Sequence, residues 1–316
     1  MKLRTMLLLG TGLIILVPGV FLIASAFRQE NPDFFADKTA EAKDLYGQNS
    51  LPATNGKMRP GIRFDVQALP GLSTFNVIRD EVFAASDRAG ATRSLVVTPT
   101  VGAGRLYLSF YVSNVSVADA RDSIFNVIAK KSTMISAIRG DGGPLNIAVG
   151  DFNFLFHSLQ DVNVGDPRTI FNMAFARNNI AVFLNFDRDI TTVPNLIAIA
   201  TYLDQQILSE PETDDLSKSK LKPQIQKFEL AGGGKRIKKG TVTPITLQVK
   251  PGSGKDDSIQ IFFTADDFGQ VVQEKTDGKT RYQYAAGISG NATLAVVVVN
   301  DRLLLSTAQI LITITD

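Results

Sequence analysis

The sequence predicts two folded units in series: an α+β unit with helices on one face of an antiparallel sheet, then an all-β sandwich. Both stand behind an N-terminal transmembrane or signal helix. Three observations carry this expectation. Residues 61–208 mix alternating apolar runs with two segments whose apolar residues recur at helical spacing. From residue 224 to residue 316 the chain consists of short strand-like runs separated by Gly- and Asp-rich turns. Between them SEPETDDLSKSKLKP, residues 209–223, has no apolar period and carries charge and proline, as a boundary linker does.

At 316 residues the chain has room for about two domains with real cores. Lys plus Arg (33) nearly balances Asp plus Glu (31), so no global field argues for nucleic acid, and electrostatic binding must be local. There is no cysteine and one histidine, His157. That excludes disulfides, thiolate catalysis, Cys-ligated zinc, iron–sulfur clusters and multi-His metal sites within one chain, and no cofactor is expected. His157 falls out of phase with Phe152, Phe154 and Phe156, so a structural or exposed role outranks that of a general base.

The N-terminus decides the expected compartment. Lys2 and Arg4 precede an uncharged run from Met6 to Phe27. As a helix it would span about 33 Å, enough for a bilayer core of about 30 Å. The basic residues stay inside, which sends the rest outward. The run is longer than a usual signal core, which favours an anchor, but it ends in Ala24-Ser25-Ala26, which suits cleavage near Ala26. Residues 1–27 are therefore a single-pass anchor with the C-terminus outside, or a signal peptide of a secreted protein. Membrane contact is expected through residues 6–27. Residues 28–60 read as a tether, with one short helical candidate from Phe35 to Tyr46. A cysteine-free exported chain points to a bacterial or archaeal envelope.

Within 61–208, SLVVTPT and RLYLSFYVSNV read as strands, with Leu106, Leu108 and Phe110 on one face and Tyr107, Ser109 and Tyr111 on the other. Ser116 with Asp119 resembles a capping box, and Ala120, Ile124, Val127 and Ile128 follow at helical spacing. Strands are expected at 145–158 and 169–187. A second helix at about 194–208 has Pro194 in its first turn and a stripe of Leu196, Ile199, Ala200, Leu203 and Ile207. Two one-faced helices are most simply satisfied on one face of the sheet.

FNMAFARNNIAVFLNF, residues 171–186, fixes a register. A two-residue turn at Asn178-Asn179 pairs Phe175 with Val182, Met173 with Leu184 and Phe171 with Phe186, leaving Asn172, Ala174, Ala181 and Asn185 on the other face. Asparagine tolerates positive φ, so a type I′ turn is expected. Arg177, Asn178 and Asn179 then read as a register pin rather than a reactive site.

About seven strands in the last 93 residues or so have the size and rhythm of an immunoglobulin-like sandwich. KKGTVTPITLQV, YQYAAG, ATLAVVVV and STAQILITIT resemble the bacterial immunoglobulin-like domains of envelope and surface proteins over residues 224–316. The antibody Cys…Trp…Cys signature is absent, because the chain has neither residue. Such domains serve as spacers, adhesion modules or binders, which is what the resemblance implies here. NVGDP, a strand, RNN, a strand and a closing helix make 61–208 resemble uncharacterised extracytoplasmic helix-on-sheet domains of bacterial envelope proteins, with Asn178 where that pattern has glycine. No catalytic residue transfers from it.

Other motifs have plain readings. Gly102-Ala-Gly104 and Gly232-Gly-Gly234-Lys235 lack phosphate-loop spacing and read as turns. Asp214-Asp215, Asp256-Asp257 and Asp266-Asp267 lack an alternating calcium pattern and read as solvated turns. Arg139-Gly140-Asp141 is a chance tripeptide, and Asn114-Val-Ser116 and Asn291-Ala-Thr293 match the glycosylation pattern. Two features stand out. Lys235, Arg236, Lys238 and Lys239 form a basic patch on an expected hairpin tip, usable against anionic polymer or lipid headgroups. Val296–Val299 and Leu303–Leu305 are apolar on both faces of a hairpin, so Val297, Val299, Leu303 and Leu304 are expected to meet the first domain, a protein partner or a second copy. The functional expectation is a non-enzymatic extracytoplasmic envelope protein for binding or assembly, or alternatively a hydrolase or hydrolase accessory acting on cell-wall or extracellular polymer.

Overall fold

Alternating apolar side chains build the first unit around one sheet. In the computed structural model the described residues are 56–70, 75–85, 89–100, 104–134, 147–160, 168–186, 193–252, 259–276 and 279–316. Strands β1 (Phe75–Ala84), β2 (Gly90–Pro99) and β3 (Leu106–Ser113) precede helix α1 (Val117–Met134). β4 (Phe152–Gln160), β5 (Arg168–Arg177) and β6 (Ile180–Phe186) precede α2 (Val193–Ser209). The six strands lie in the order β1-β2-β3-β6-β5-β4, and every pairing is antiparallel. Ser116 caps α1 by accepting from the Asp119 N–H at 3.1 Å.

The β5–β6 register is the one the phase of the sequence requires: Phe171 opposite Phe186, Met173 opposite Leu184, Phe175 opposite Val182, Arg177 opposite Ile180. The turn type differs. Asn178 has φ of 51°, but Asn179 is not at positive φ, whereas a type I′ turn needs both.

The two helices lie on opposite faces, which corrects the one-faced expectation. Leu196, Ile199, Ala200, Leu203 and Ile207 of α2 share a core with Leu108, Phe110, Met173, Phe175 and Val182. Ala120, Ile124 and Phe125 of α1 pack on Phe152, Phe154, Ala174, Ala176 and Ala181. Neighbouring residues on β5 alternate between the two cores, so the sheet is buried from both sides.

The second unit has two four-stranded sheets. β7 (Gln224–Leu230), β8 (Arg236–Lys238), β9 (Val242–Lys250), β10 (Ile259–Ala265), β11 (Gly269–Thr276), β12 (Lys279–Ala286), β13 (Gly290–Asn300) and β14 (Leu305–Thr315) follow in the chain. One sheet runs β10-β13-β14-β8 and the other β11-β12-β9-β7. Leu230, Ile245 and Tyr284 of one sheet pack on Leu294, Ile312 and Ile314 of the other, the arrangement of a β-sandwich. The basic segment is not a hairpin tip: Arg236–Lys238 is an edge strand parallel to the end of β14.

Val297, Val299, Leu303 and Leu304 are buried within this chain, which is the intramolecular one of the expected alternatives. Val297, Val299, Leu303 and Leu305 join the core of the first unit, and Leu304 packs with Met58, Val117 and Leu216. The β13–β14 hairpin is apolar on both faces because one face closes the sandwich and the other covers the first unit. The last residues of the expected tether and the expected linker touch the folded units. Met58 bridges Thr213, and Leu216 of the 209–223 segment is buried. Among the described residues no helix is long and apolar enough to cross a membrane. The expected span 6–27, the tether up to residue 55, Arg139-Gly140-Asp141, Gly165-Asp166 and Asp256-Asp257 lie outside the described residues.

Candidate functional site

The turn that the sequence singles out sits at the meeting point of four segments. Arg177 extends from the end of β5 between two acids. Its Nε and Nη2 donate to Asp204 of α2 at 2.8 and 2.6 Å, and its Nη1 to Asp151 at 2.9 Å. Asp204 is 2% exposed, so this two-point pairing is what permits its burial. The pair raises the Arg177 guanidinium above its ordinary range against the opposing effect of desolvation. The other oxygen of Asp151 accepts the Asn178 N–H at 2.7 Å. Gly150 makes this approach feasible: a Cβ there would lie 2.6 Å from the Ala176 carbonyl oxygen.

Asn178 and Asn179 hold the incoming chain. Asn178 Nδ2 donates to the Lys57 carbonyl at 2.9 Å, and its Oδ1 accepts from Arg59 Nε at 2.9 Å. Asn179, fully buried, accepts the Arg59 N–H at 2.6 Å and donates to the carbonyls of Arg59 at 3.2 Å and Ser113 at 2.7 Å. Arg59 continues to the Leu208 carbonyl at 3.0 Å, the Glu210 carbonyl and the Glu212 carboxylate at 2.8 Å. These groups are paired with one another, so the arrangement fixes geometry; a ligand would have to displace a made bond.

The junction extends to the sandwich. Asn114 donates to the Leu303 carbonyl and accepts the Leu305 N–H, both at 3.2 Å. Arg302 pairs with Glu210 at 2.5 Å and Arg63 with Asp301 at 3.0 Å. Gly61, at φ of 89°, lies so close that a Cβ would fall 1.9 Å from the Arg302 carbonyl oxygen. Leu303 holds φ of 63°, a strained value for leucine, while its side chain is buried in the core of the first unit.

The sequence expectation named Arg177, Asn178 and Asn179 but missed Arg59, Asp151 and Asp204. Asp204 was detectable, because an acid beside Leu203 on the apolar stripe of a helix demands a cation. Arg59 had no local signal.

The remaining acids act in turns. Asp215 caps residues 216–218, accepting the Ser217 N–H at 2.8 Å; hydrogen bonding to Ser217 lowers its carboxyl. Asp266 accepts the N–H groups of Phe268 and Thr293 at 3.3 and 2.5 Å. Among the described residues no group of three or more His, Asp or Glu side chains could hold a metal. A cleft of about 580 Å³ opens between the sheets of the sandwich, lined by Ile245, Leu247, Val249, Ile259, Ile261 and Tyr282 among others. Burial raises the Tyr282 phenol. Lys235, Arg236, Lys238 and Lys239 are all exposed, and none makes an ion pair among the described residues. No protein-family model and no curated protein matches this chain.

Proposed function

We propose that the chain is a non-enzymatic extracytoplasmic envelope protein that acts by binding or assembly, with its sandwich as an immunoglobulin-like presentation module. The observation that carries this reading is strand order. With β7 and β8 lettered A and A′, and β9 to β14 lettered B to G, the sheets run A-B-E-D and A′-G-F-C. Constant-type immunoglobulin sheets pair ABED with CFG in the same way. Modules of this kind present a surface rather than enclose a reaction, and here the β13–β14 tip is embedded in the first unit. The opposite end of the sandwich is therefore presented at a fixed orientation. The outside location is supported by Lys2 and Arg4 ahead of the apolar run and by the absence of cysteine.

A reporter enzyme that folds only outside the cytoplasm, fused after Asp316, tests the location; it should be active and sediment with the envelope. The purified chain should bind envelope material without releasing soluble fragments. An inactive reporter refutes the location, and steady fragment release replaces binding with hydrolysis.

A further inference from the structure

The end of the sandwich farthest from the first unit combines two kinds of side chain. The first is cationic. In β8, Ile237 packs toward the sandwich core, which turns Arg236 and Lys238 to the outer face about 7 Å apart. Lys235 and Lys239 flank them, and all four are exposed without an ion-pair partner among the described residues. By contrast, Arg59, Arg63, Arg79, Arg93, Arg177 and Arg302 each pair with a carboxylate. The adjoining Gly232 and Gly233 form a turn with nothing nearby to shield the strand.

The second kind is apolar. Leu311 is 64% exposed, Val242 55% and Ile288 54%. Backbone bonds place them beside the cations. Leu311 lies two residues from Thr313, the partner of Arg236 on the same sheet. Thr241, next to Val242, donates to the Lys238 carbonyl at 3.2 Å and accepts from the Ala286 N–H at 3.0 Å, which brings in the turn containing Ile288. Asp316 is also at this end and is held by Ser289 at 2.5 Å. Asp266 and Asp267, which follow β10, also lie at this end: the Phe268 carbonyl accepts the Ile288 N–H at 3.0 Å, and the Asp266 carboxylate accepts the backbone N–H groups of Phe268 and of Thr293, the residue opposite Leu311.

Cations alone would suit a soluble polyanion, or would merely keep an edge strand from pairing. Exposed leucine, valine and isoleucine beside them gain nothing from either, but they gain burial at a lipid interface. We infer that this end of the sandwich docks on an anionic bilayer, with Lys235, Arg236, Lys238 and Lys239 against lipid phosphates and Leu311, Val242 and Ile288 at the acyl boundary. The surface lies about 27 Å along β14 from the buried tip at Leu305, so the first unit does not obstruct it. The inference gives the binding role proposed above a partner chemistry.

The lack of cysteine makes the test clean. Ile288→Cys in the full chain is labelled with an environment-sensitive dye, and Leu208→Cys, on the first unit, is the control. The protein is reconstituted in phosphatidylcholine vesicles and titrated with vesicles that also contain phosphatidylglycerol. The dye at position 288 should report an apolar environment and that at 208 should not. Replacing all four cations by Gln should weaken the apparent affinity by about 100-fold or more. Should that variant fail to fold, Lys235→Gln with Lys239→Gln leaves Arg236–Lys238 intact and should give about the square root of that loss. An equal response to neutral vesicles, or one that survives charge removal, overturns the inference. So does polyphosphate binding that competes fully with no apolar signal, which would make the partner a soluble polyanion. An inactive export reporter alongside intact vesicle binding would sink the location and leave the docking surface standing.

Discussion

Asn179→Ala should separate a structural turn from a decorative one. Asn179 is fully buried, and its amide makes three hydrogen bonds, accepting the Arg59 N–H and donating to the carbonyls of Arg59 and Ser113. Alanine removes all three and strands three backbone groups. A stranded buried group costs about 1–3 kcal/mol, and water entering the vacated space recovers part of that, so the expected loss is about 3–5 kcal/mol. At about 2–4 °C per kcal/mol for a chain of this size, the melting temperature should fall by about 6–20 °C. Asn179→Asp keeps the shape but points a carboxylate oxygen at two carbonyls. Burial and those carbonyls raise the introduced carboxyl above its unfolded value of about 3.9. The folded state therefore prefers the protonated form. The variant should approach the native chain below about pH 3.9 and lose stability as pH rises through the folded value. Thermal melts followed by circular dichroism across pH are the assay. A loss under about 1 kcal/mol for Asn179→Ala, or an Asn179→Asp penalty that is flat with pH, would refute the reasoning.

Three further outcomes follow from the same geometry. Gly61→Ala should cost about 1–3 kcal/mol for overlap with the Arg302 carbonyl and about 1 more for positive φ, seen as a lower denaturant midpoint. Val297→Asp should break the packing of the hairpin on the first unit, giving a less cooperative melt at unchanged oligomer mass; a changed mass with a native melt would restore an intermolecular role. Tyr284→Phe should be neutral or stabilising by up to about 1 kcal/mol, because the buried hydroxyl has no partner among the described residues and burial raises its phenol. Marked destabilisation there would reveal a partner for the hydroxyl.

Features set by local periodicity were legible in the sequence. Phase alone located the β5–β6 register, the stripe of α2 and most strands of the sandwich. Which face each helix covers was not legible, since a stripe says that a helix has a buried side and not which side of a sheet receives it. The overlooked signal was Ala174, Ala176 and Ala181, small residues that let α1 approach; they pass for a solvent face when read beside Met173 and Phe175. Segment 56–60 resembled a tether because its partners lie far along the chain: Arg59 meets Asn179 across 120 positions and Glu212 across 153. Polar contacts at such separation leave no periodic trace. β8 escaped because a three-residue strand has no period to read, and the triple glycine before it suggests a tip.

The hairpin tip also sets an order of events. The face of the sheet around Leu108 and Phe110 is closed in part by Val297, Val299 and Leu303, which a ribosome delivers nearly two hundred residues later. The first unit thus waits, incomplete, for almost the last strand of the molecule. Pairings this distant slow folding and leave apolar surface open in the interim. Under the proposed extracytoplasmic location, that delay would be an advantage, because the native state would not lock ahead of transit through a membrane.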